Sequence, residues 1–147
     1  MKPKIIIVSG YFNPLHKGHI EYFKIAKNLG DKLFVIVNND HQRKIKKSQE
    51  FMLQKERVLI VNELSITDKV FLSIDQDRSV SLTIKKIHSV YFSNYSLCFV
   101  NGGDQINNNI PEAKVCKKLG IELIDGLGDK IQSSSWLLNK KWWKKKK

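Results

Sequence analysis

The stretch KIIIVSGYFNPLHKGHIEYFKIAKNLG, residues 4–30, decides the fold. Ile5 to Val8 is an apolar run without alternation, as expected of a strand covered on both faces. A turn containing Gly10 follows, and Gly18 to Leu29 then carries apolar side chains at three- and four-residue spacing, which predicts a helix. Gly30 is well placed to end that helix. The stretch therefore predicts a strand, a tight turn and a helix in succession.

The same alternation of short apolar strands and helical segments continues along the chain. Strands that alternate with helices imply a parallel sheet with right-handed crossovers. We therefore predict a Rossmann-like, three-layer α/β/α fold with a five-stranded parallel sheet. Residues 38–50 are expected to form a polar loop, and residues 89–96 a loop with a strand-like aromatic edge. The further strands are predicted at Leu33 to Val37, Lys69 to Leu72, Leu97 to Val100 and Ile121 to Ile124, and the further helices at Leu53 to Leu64, Val80 to Ile87, Pro111 to about Leu119, and after a cap at Ser133 or Ser134.

Positive charge is distributed unevenly along the 147 residues. The formal net charge is +12, and the last nine residues carry six lysines and no acid. We expect one domain at residues 1–138, whose moderate basicity suits a polyanionic ligand, and a basic Trp/Lys tail at residues 139–147. The tail has features of a segment that binds an anionic membrane surface or nucleic acid. A solvated terminus whose tryptophans pack on the body or on a second subunit is the favoured interpretation.

Cysteine usage and the apolar runs bear on the compartment. Cys98 and Cys116 lie in a predicted buried strand and a predicted helix, which suggests neither a disulfide framework nor a metal-ligand cluster. The first residues lack the features of a signal peptide. The apolar runs are too short to cross a bilayer. We expect a cytoplasmic protein without integral membrane association.

Polar and glycine-rich motifs follow three of the predicted strands. They are Ser9 to His19, Asn38 to Asp40, and Asn101 to Asp104. In an open parallel sheet, ligands bind beyond the carboxyl ends of the strands. The three motifs are therefore expected to converge on one ligand site.

The first motif has the composition of a phosphate site. Gly10 permits a sharp turn and close approach to a ligand, and Gly18 lies where helix N–H groups and the positive end of the helix dipole are available. His16 and His19, three residues apart, can point to one side and meet a phosphate together. For Lys17, the sequence favours neither of two interpretations, contact with the ligand or exposure to solvent.

The run His16-Lys17-Gly18-His19 resembles the His-x-Gly-His motif of the cytidylyltransferase-like nucleotidyltransferases, and the resemblance extends to about Asn139. Ser133-Ser134-Ser135 stands where that family has its second conserved element. Three further motifs resemble those of the heptose-phosphate adenylyltransferase and glycerol-phosphate cytidylyltransferase branches of the family. They are residues 37–40, Glu56-Arg57 and residues 101–104.

Two residues depart from those branches. Asn13 stands where they commonly have aspartate, and Asn13-Pro14 is similar to nicotinate-mononucleotide adenylyltransferases instead. The stretch before the serine triplet, residues 126–132, lacks the arginine of glycerol-phosphate cytidylyltransferases.

The resemblance implies transfer of AMP or CMP from ATP or CTP to a phosphorylated sugar or polyol, with release of pyrophosphate. It further implies Mg²⁺ as cofactor, held mainly by phosphates and water rather than by protein ligands, and a homodimer. The catalytic residues implied are His16, His19, Lys44 and Lys46, with Lys47 as another lysine of the same loop. The nucleotide-binding residues implied are Gly10, Tyr11, Phe12, Asn13, Lys17, Gly18, Asn101, Gly102, Gly103, Asp104, Ser133, Ser134 and Ser135. Asn38, Asp40, Arg57 and Arg78 are candidates for binding the acceptor.

Several alternatives stay open at this point. The base of the triphosphate is unsettled, with a slight preference for adenine from the Gly102-Gly103-Asp104 resemblance and the missing arginine. A nicotinate-mononucleotide or FMN adenylyltransferase is an alternative acceptor class. A non-catalytic nucleotide- or nucleic-acid-binding module of the same fold is an alternative of another kind, motivated by Asn13 and the basic tail.

Overall fold

A computed structural model describes residues 2–101 and 110–124 of the chain. Five parallel strands form one sheet in the order β3-β2-β1-β4-β5. This confirms the predicted Rossmann-like α/β fold. The elements are β1 Lys4–Gly10, α1 Lys17–Lys27, β2 Lys32–Val37, α2 Asp40–Lys46, α3 Gln54–Asn62, β3 Lys69–Leu72, α4 Ser81–Tyr91, β4 Ser96–Val100, α5 Glu112–Leu119 and β5 Glu122–Ile124.

The central strands are covered on both faces, as their unbroken apolar runs predict. On β1, Ile6 and Val8 pack toward one face, where α1 and α3 contribute Phe23 and Val61. Ile5 and Ile7 belong to the other face, together with residues of α4 and α5. The three layers of the described part of the chain are therefore α1 and α3, the sheet, and α4 and α5.

Two segments differ from the prediction. Residues 38–50 contain helix α2, which begins with a capping box between Asn39 and Gln42 and ends at Lys47 in the left-handed conformation. Helix α4 continues to Tyr91, whose ring packs edge-on against Phe34 with 5.0 Å between centroids, so no strand-like edge forms. The apolar pattern missed α2 because the buried residues of that helix are polar.

Three of the predicted features lie outside the described residues. They are Gly102 to Asp104, the helix expected after Ser133 or Ser134, and the tail at residues 139–147. Among the described residues, no helix is long and apolar enough to cross a membrane.

Candidate functional site

The strand order places the candidate site at the carboxyl end of β1. The chain moves from β1 outward through β2 to β3, and then returns to β4 on the other side of β1. This reversal creates a crevice beyond the ends of β1 and β4, the usual ligand position in such sheets. Asn101 follows β4 at this edge, and its backbone N–H donates to the Ile124 carbonyl at 2.8 Å.

His16 and His19 are locked together at the start of α1. The His16 Nδ1 accepts the Gly18 backbone N–H, and the His19 Nδ1 accepts the His16 backbone N–H, both at 3.1 Å. The two rings lie 3.9 Å apart between centroids. The result is a reciprocal capping box made from two histidines. Because each Nδ1 is an acceptor, we infer that a neutral ring carries its proton on Nε2 and keeps an N–H donor there.

The surroundings of His19 favour its neutral form. Burial and the neighbouring His16 lower the pKa of His19 from 6.5 to about 4. The buried Phe12 contacts His19 edge-on at 4.9 Å between centroids and Phe23 at 5.4 Å. Phe12 has a φ of 52°, a left-handed conformation that bulky residues rarely adopt. The turn is therefore bent so that an aromatic ring supports His19 from inside.

The two motif glycines make room for neighbouring side chains. A Cβ added at Gly10 would lie 2.8 Å from the Phe12 ring, and one added at Gly18 would lie 2.9 Å from the His16 Cε1. The space beside Gly10 is occupied by Phe12, and the Gly18 N–H is engaged by the His16 ring. Lys17 opens helix α1 with an exposed side chain.

Asn13 joins the turn after β1 to the segment before α3. Its Nδ2 donates to the Gln49 carbonyl at 2.9 Å, and its Oδ1 accepts from the backbone N–H groups of Phe51 and Met52 at 3.2 and 2.8 Å. The described hydrogen bonds of this side chain therefore go to the protein backbone. An aspartate at this position would lack the N–H that bonds to Gln49.

Tyr11 brings together cationic side chains from two other segments. The Lys46 Nζ lies 4.5 Å from the centroid of the Tyr11 ring. Arg78, from the segment between β3 and α4, lies close enough to the Tyr11 hydroxyl to act on its pKa. Burial raises the pKa of Tyr11, against the opposing influence of Arg78 and Arg57. Lys44 is exposed and precedes Lys46 by two positions, about 200° around the helix, so no described contact joins it to Tyr11.

Arg57 occupies the interior rather than an acceptor site. Its side chain is 0% exposed, and its Nε donates to the Met52 carbonyl at 3.0 Å. Its Nη1 donates to the carbonyls of Tyr11 at 2.8 Å and Asn38 at 2.6 Å. Its Nη2 donates to the Asp40 Oδ1 at 2.7 Å. Arg57 therefore fixes the turn after β1 to the segment after β2.

Asp40 and Asn38, also predicted to bind the acceptor, are engaged within the protein as well. Asp40 exchanges hydrogen bonds with the backbone and side chain of Gln54 at 3.1 and 2.9 Å. Burial tends to raise the pKa of Asp40, but the Gln54 N–H and Arg57 overcome it, and the net pKa is lowered. The buried Asn38 donates to the Gln42 Oε1 at 3.1 Å. Of the four acceptor candidates, only Arg78 has an exposed side chain.

A buried polar joint, which sequence reasoning missed, connects α2 to the segment that carries Arg78. The Gln42 Nε2 donates to the carbonyls of Asp77 and Ser79, both at 2.7 Å. The Asn39 Nδ2 donates to the Ser73 carbonyl at 2.9 Å and to the Asp75 carbonyl at 3.0 Å. These bonds hold helix α2, and with it Lys46, in place relative to Arg78.

The described residues do not form a protein-built magnesium site. Within residues 2–101 and 110–124, no group of three or more His, Cys, Asp or Glu side chains could hold a metal ion.

The cytidylyltransferase-like family model matches residues 7–145. The chain belongs to this family. The match includes the histidine pair, Tyr11 and the serine triplet. The family assignment predicted from the His-x-Gly-His motif is thereby confirmed.

Individual relatives agree with this assignment. The bifunctional protein HldE of Blochmanniella floridana is 35% identical over 119 residues, or 80% of this chain and 23% of that protein. The FAD synthase of Methanohalobium evestigatum is 30% identical over 115 residues, covering 78% of this chain and 73% of that one. The FAD synthase of Methanosarcina barkeri is 39% identical over 72 residues, covering 49% and 51%. The chain thus spans about a quarter of the HldE relative and about half of the Methanosarcina enzyme.

A solved structure shares the fold. The lipopolysaccharide core biosynthesis protein from Thermoplasma volcanium superimposes with a TM-score of 0.62 at 22% identity, covering 84% of this chain and 95% of that one. This likeness supports the observed architecture and strand order.

Proposed function

We propose that the chain transfers a nucleoside monophosphate from ATP or CTP to a phosphorylated sugar or polyol and releases pyrophosphate. The observation that carries this proposal is the histidine capping box at the start of α1. It combines two Nε2–H donors with a helix N-terminus, an arrangement that suits phosphate oxygens. The FAD synthase relatives add support for an adenylyl group, so ATP is the favoured donor.

In the proposed reaction, an oxygen of the acceptor phosphate attacks the α-phosphorus of the triphosphate. The bond from this phosphorus to the bridging oxygen breaks, and pyrophosphate leaves with the electron pair. Negative charge grows on the α-phosphate oxygens and on the leaving group. The protein stabilises that charge by fixed hydrogen-bond donors and cations, and needs no covalent intermediate.

His16 and His19 would each donate from Nε2 to phosphate oxygens. Their backbone hydrogen bonds hold the rings in position before the ligand arrives, which avoids reorganisation during the reaction. Lys46 would supply positive charge from α2. Ser133 to Ser135 and Asn101 to Asp104 remain predictions for the β- and γ-phosphates and the base. Mg²⁺ is expected to arrive on the triphosphate, and no step here depends on a protein ligand to it.

A flavin acceptor is the second candidate, because two of the relatives described above are FAD synthases. In that case the acceptor is FMN and the product is FAD. Both candidates share the acceptor phosphate and differ in the group attached to it. The proposed homodimer and cytoplasmic location stay predictions.

Pyrophosphate release tests the proposal directly. The parent protein is incubated with each of ATP, CTP, GTP and UTP, with Mg²⁺, and with sugar phosphates, polyol phosphates or FMN. His16→Ala and His19→Ala should each lower the rate about 100-fold or more, because a fixed donor to the developing charge is lost. Lys55→Gln, an exposed change on α3, is the control.

Two outcomes would contradict the proposal. Equal rates for the folded histidine variants and the parent would show that the capping box has no catalytic role. Salt-sensitive oligonucleotide binding without turnover on any acceptor would favour a non-catalytic binding module instead.

A further inference from the structure

Tyr11, Lys46 and Arg78 form a cationic cluster outside the histidine pair. Its members come from three segments, namely the turn after β1, helix α2 and the segment between β3 and α4. All three stand at the carboxyl edge of the sheet. Neither the nucleotide motif nor the buried Arg57 accounts for this convergence.

The charge balance of the cluster favours an anion. The charged groups that act on the Tyr11 hydroxyl are both cations, Arg78 and Arg57. The Arg57 charge is already compensated by its bond to Asp40 at 2.7 Å. Arg78 and Lys46 are exposed, so their remaining donors are accessible to a ligand. Arg78 offers five N–H donors in a planar guanidinium group, a geometry that suits phosphate oxygens.

The geometry points to this cluster as the binding site for the phosphate group of the acceptor, with Arg78 and Tyr11 as its specificity-determining residues. The inference rests on the proposed nucleotidyl transfer and deepens it. The ligand class is a phosphomonoester, bound by its anionic oxygens. Tyr11, predicted to contact the nucleotide, is thereby assigned to the acceptor instead.

The position of the cluster in the sheet supports this assignment. The nucleotide motifs lie on β1 and β4, whereas Lys46 and Arg78 follow β2 and β3 on the opposite side of β1. Adjacent strands are about 4.8 Å apart, so the segment after β3 lies roughly 10 Å from β1. A triphosphate bound at β1 and β4 thus leaves this side for the second substrate. Lys46 lies between the two and is expected to face both the acceptor phosphate and the α-phosphate.

The rigidity of the cluster also suits a phosphate of fixed orientation. The Lys46 Nζ lies over the Tyr11 ring, 4.5 Å from its centroid. The Gln42 bonds to Asp77 and Ser79 hold α2 against the segment that carries Arg78. An acceptor phosphate bound here is held beside the α-phosphate, as an in-line attack requires.

Arg78→Gln and Tyr11→Phe test the inference, because neither residue is expected to touch the triphosphate. Isothermal titration calorimetry measures the affinity of the protein for each ligand. Ribose 5-phosphate is compared with ribose, FMN is compared with riboflavin, and ATP is titrated in the presence of Mg²⁺. In the parent protein, at least one phosphorylated probe should bind measurably tighter than its unphosphorylated partner. Arg78→Gln should weaken that binding about tenfold or more, the usual effect of losing a charge-assisted hydrogen bond. Tyr11→Phe should weaken it less, because Lys46 keeps its aromatic partner.

The matched control is Lys85→Gln, which removes one exposed positive charge from α4. It should change each of these affinities less than twofold, and so should Arg78→Gln for ATP. Circular dichroism melting confirms that each variant is folded.

Three results would overturn the inference. The first is that Arg78→Gln weakens binding of ATP and of the phosphorylated probes equally. The second is that Lys85→Gln weakens binding of those probes as much as Arg78→Gln does. The third is that the parent protein binds no phosphorylated probe tighter than its unphosphorylated partner. Failure of the proposed function is distinguishable, because phosphorylated probes would then bind at the cluster while no triphosphate yields pyrophosphate.

Discussion

Replacing Gly18 by alanine should abolish most of the activity and leave the protein almost as stable as before. The added Cβ would lie 2.9 Å from the His16 Cε1 and 3.1 Å from its Nδ1, whereas an ordinary contact needs at least 3.4 Å. The imidazole must therefore move by roughly half an ångström, which breaks its hydrogen bond to residue 18. Misplacement on the order of 1 Å at a reacting centre can cost about 100-fold in rate.

The stability terms of this substitution oppose each other. Loss of the His16 cap costs about 1 kcal/mol, as for other N-cap side chains. Alanine is favoured over glycine in a helix by up to about 1 kcal/mol. The free energy of unfolding should therefore change by less than about 1 kcal/mol, and Tm by no more than a few degrees.

Gly30→Ala is the matched control with the opposite outcome. A Cβ at Gly30 would lie 2.7 Å from the Ile6 side chain and 3.1 Å from the Lys4 carbonyl, away from the histidines. Overpacking of this kind costs about 1–3 kcal/mol. Well below its Tm, Gly30→Ala should release pyrophosphate at the parent rate per folded molecule.

Thermal melting and pyrophosphate release, measured side by side on both variants, check this reasoning. Parental activity in Gly18→Ala would refute the claim that the close contact between His16 and Gly18 is required. An equal loss of Tm in the two variants would show that the cap and helix-propensity terms do not cancel.

Three other predictions concern the residues around the histidine pair. Arg57→Gln should lower the free energy of unfolding by about 3–5 kcal/mol in urea titrations, because it leaves Asp40 and three carbonyls without their partner. A loss below about 1 kcal/mol would contradict the described contacts. His19 should titrate near pH 4 when followed by NMR, and a midpoint near 6.5 would contradict this. Because the pKa of His19 is 6.5 in the unfolded chain and lower in the folded one, its contribution to the free energy of unfolding is complete above pH 6.5. That contribution declines as the pH falls toward 4. Asn13→Asp should lower stability by about 1 kcal/mol in thermal melts, because a carboxylate oxygen would face the Gln49 carbonyl, and unchanged stability would argue against that hydrogen bond.

The fold was predictable because its strands are short apolar runs bounded by polar residues. The predicted third strand, Lys69–Leu72, matches the observed bounds. Helix α2 was not predictable in this way, since its buried residues are Gln42 and Arg43. Gln42 is buried because it bonds to carbonyls 35 and 37 residues away, and periodicity contains no information about such partners.

The same distinction between local patterns and long-range contacts applies to the candidate site. The spacing of His16 and His19 led to the correct family, and Gly18 is adjacent to both because a capping box is local in sequence. The burial of Arg57 depends on acceptors as far as 46 residues away. The sequence alone therefore suggested that Arg57 is an exposed helix residue or a ligand contact. The meeting of Tyr11 with Lys46 and Arg78 likewise follows from tertiary packing.

The bonds of Arg57 have a consequence for the order of folding. All of its described acceptors lie between residues 11 and 52, so the first part of the chain supplies every one of these hydrogen-bond partners. Helix α3, which carries Arg57, ends at Asn62, before β4 and β5 have left the ribosome. The amino-terminal half can therefore assemble the histidine turn early during synthesis, and the later strands complete the crevice by adding to the exposed edge of β1.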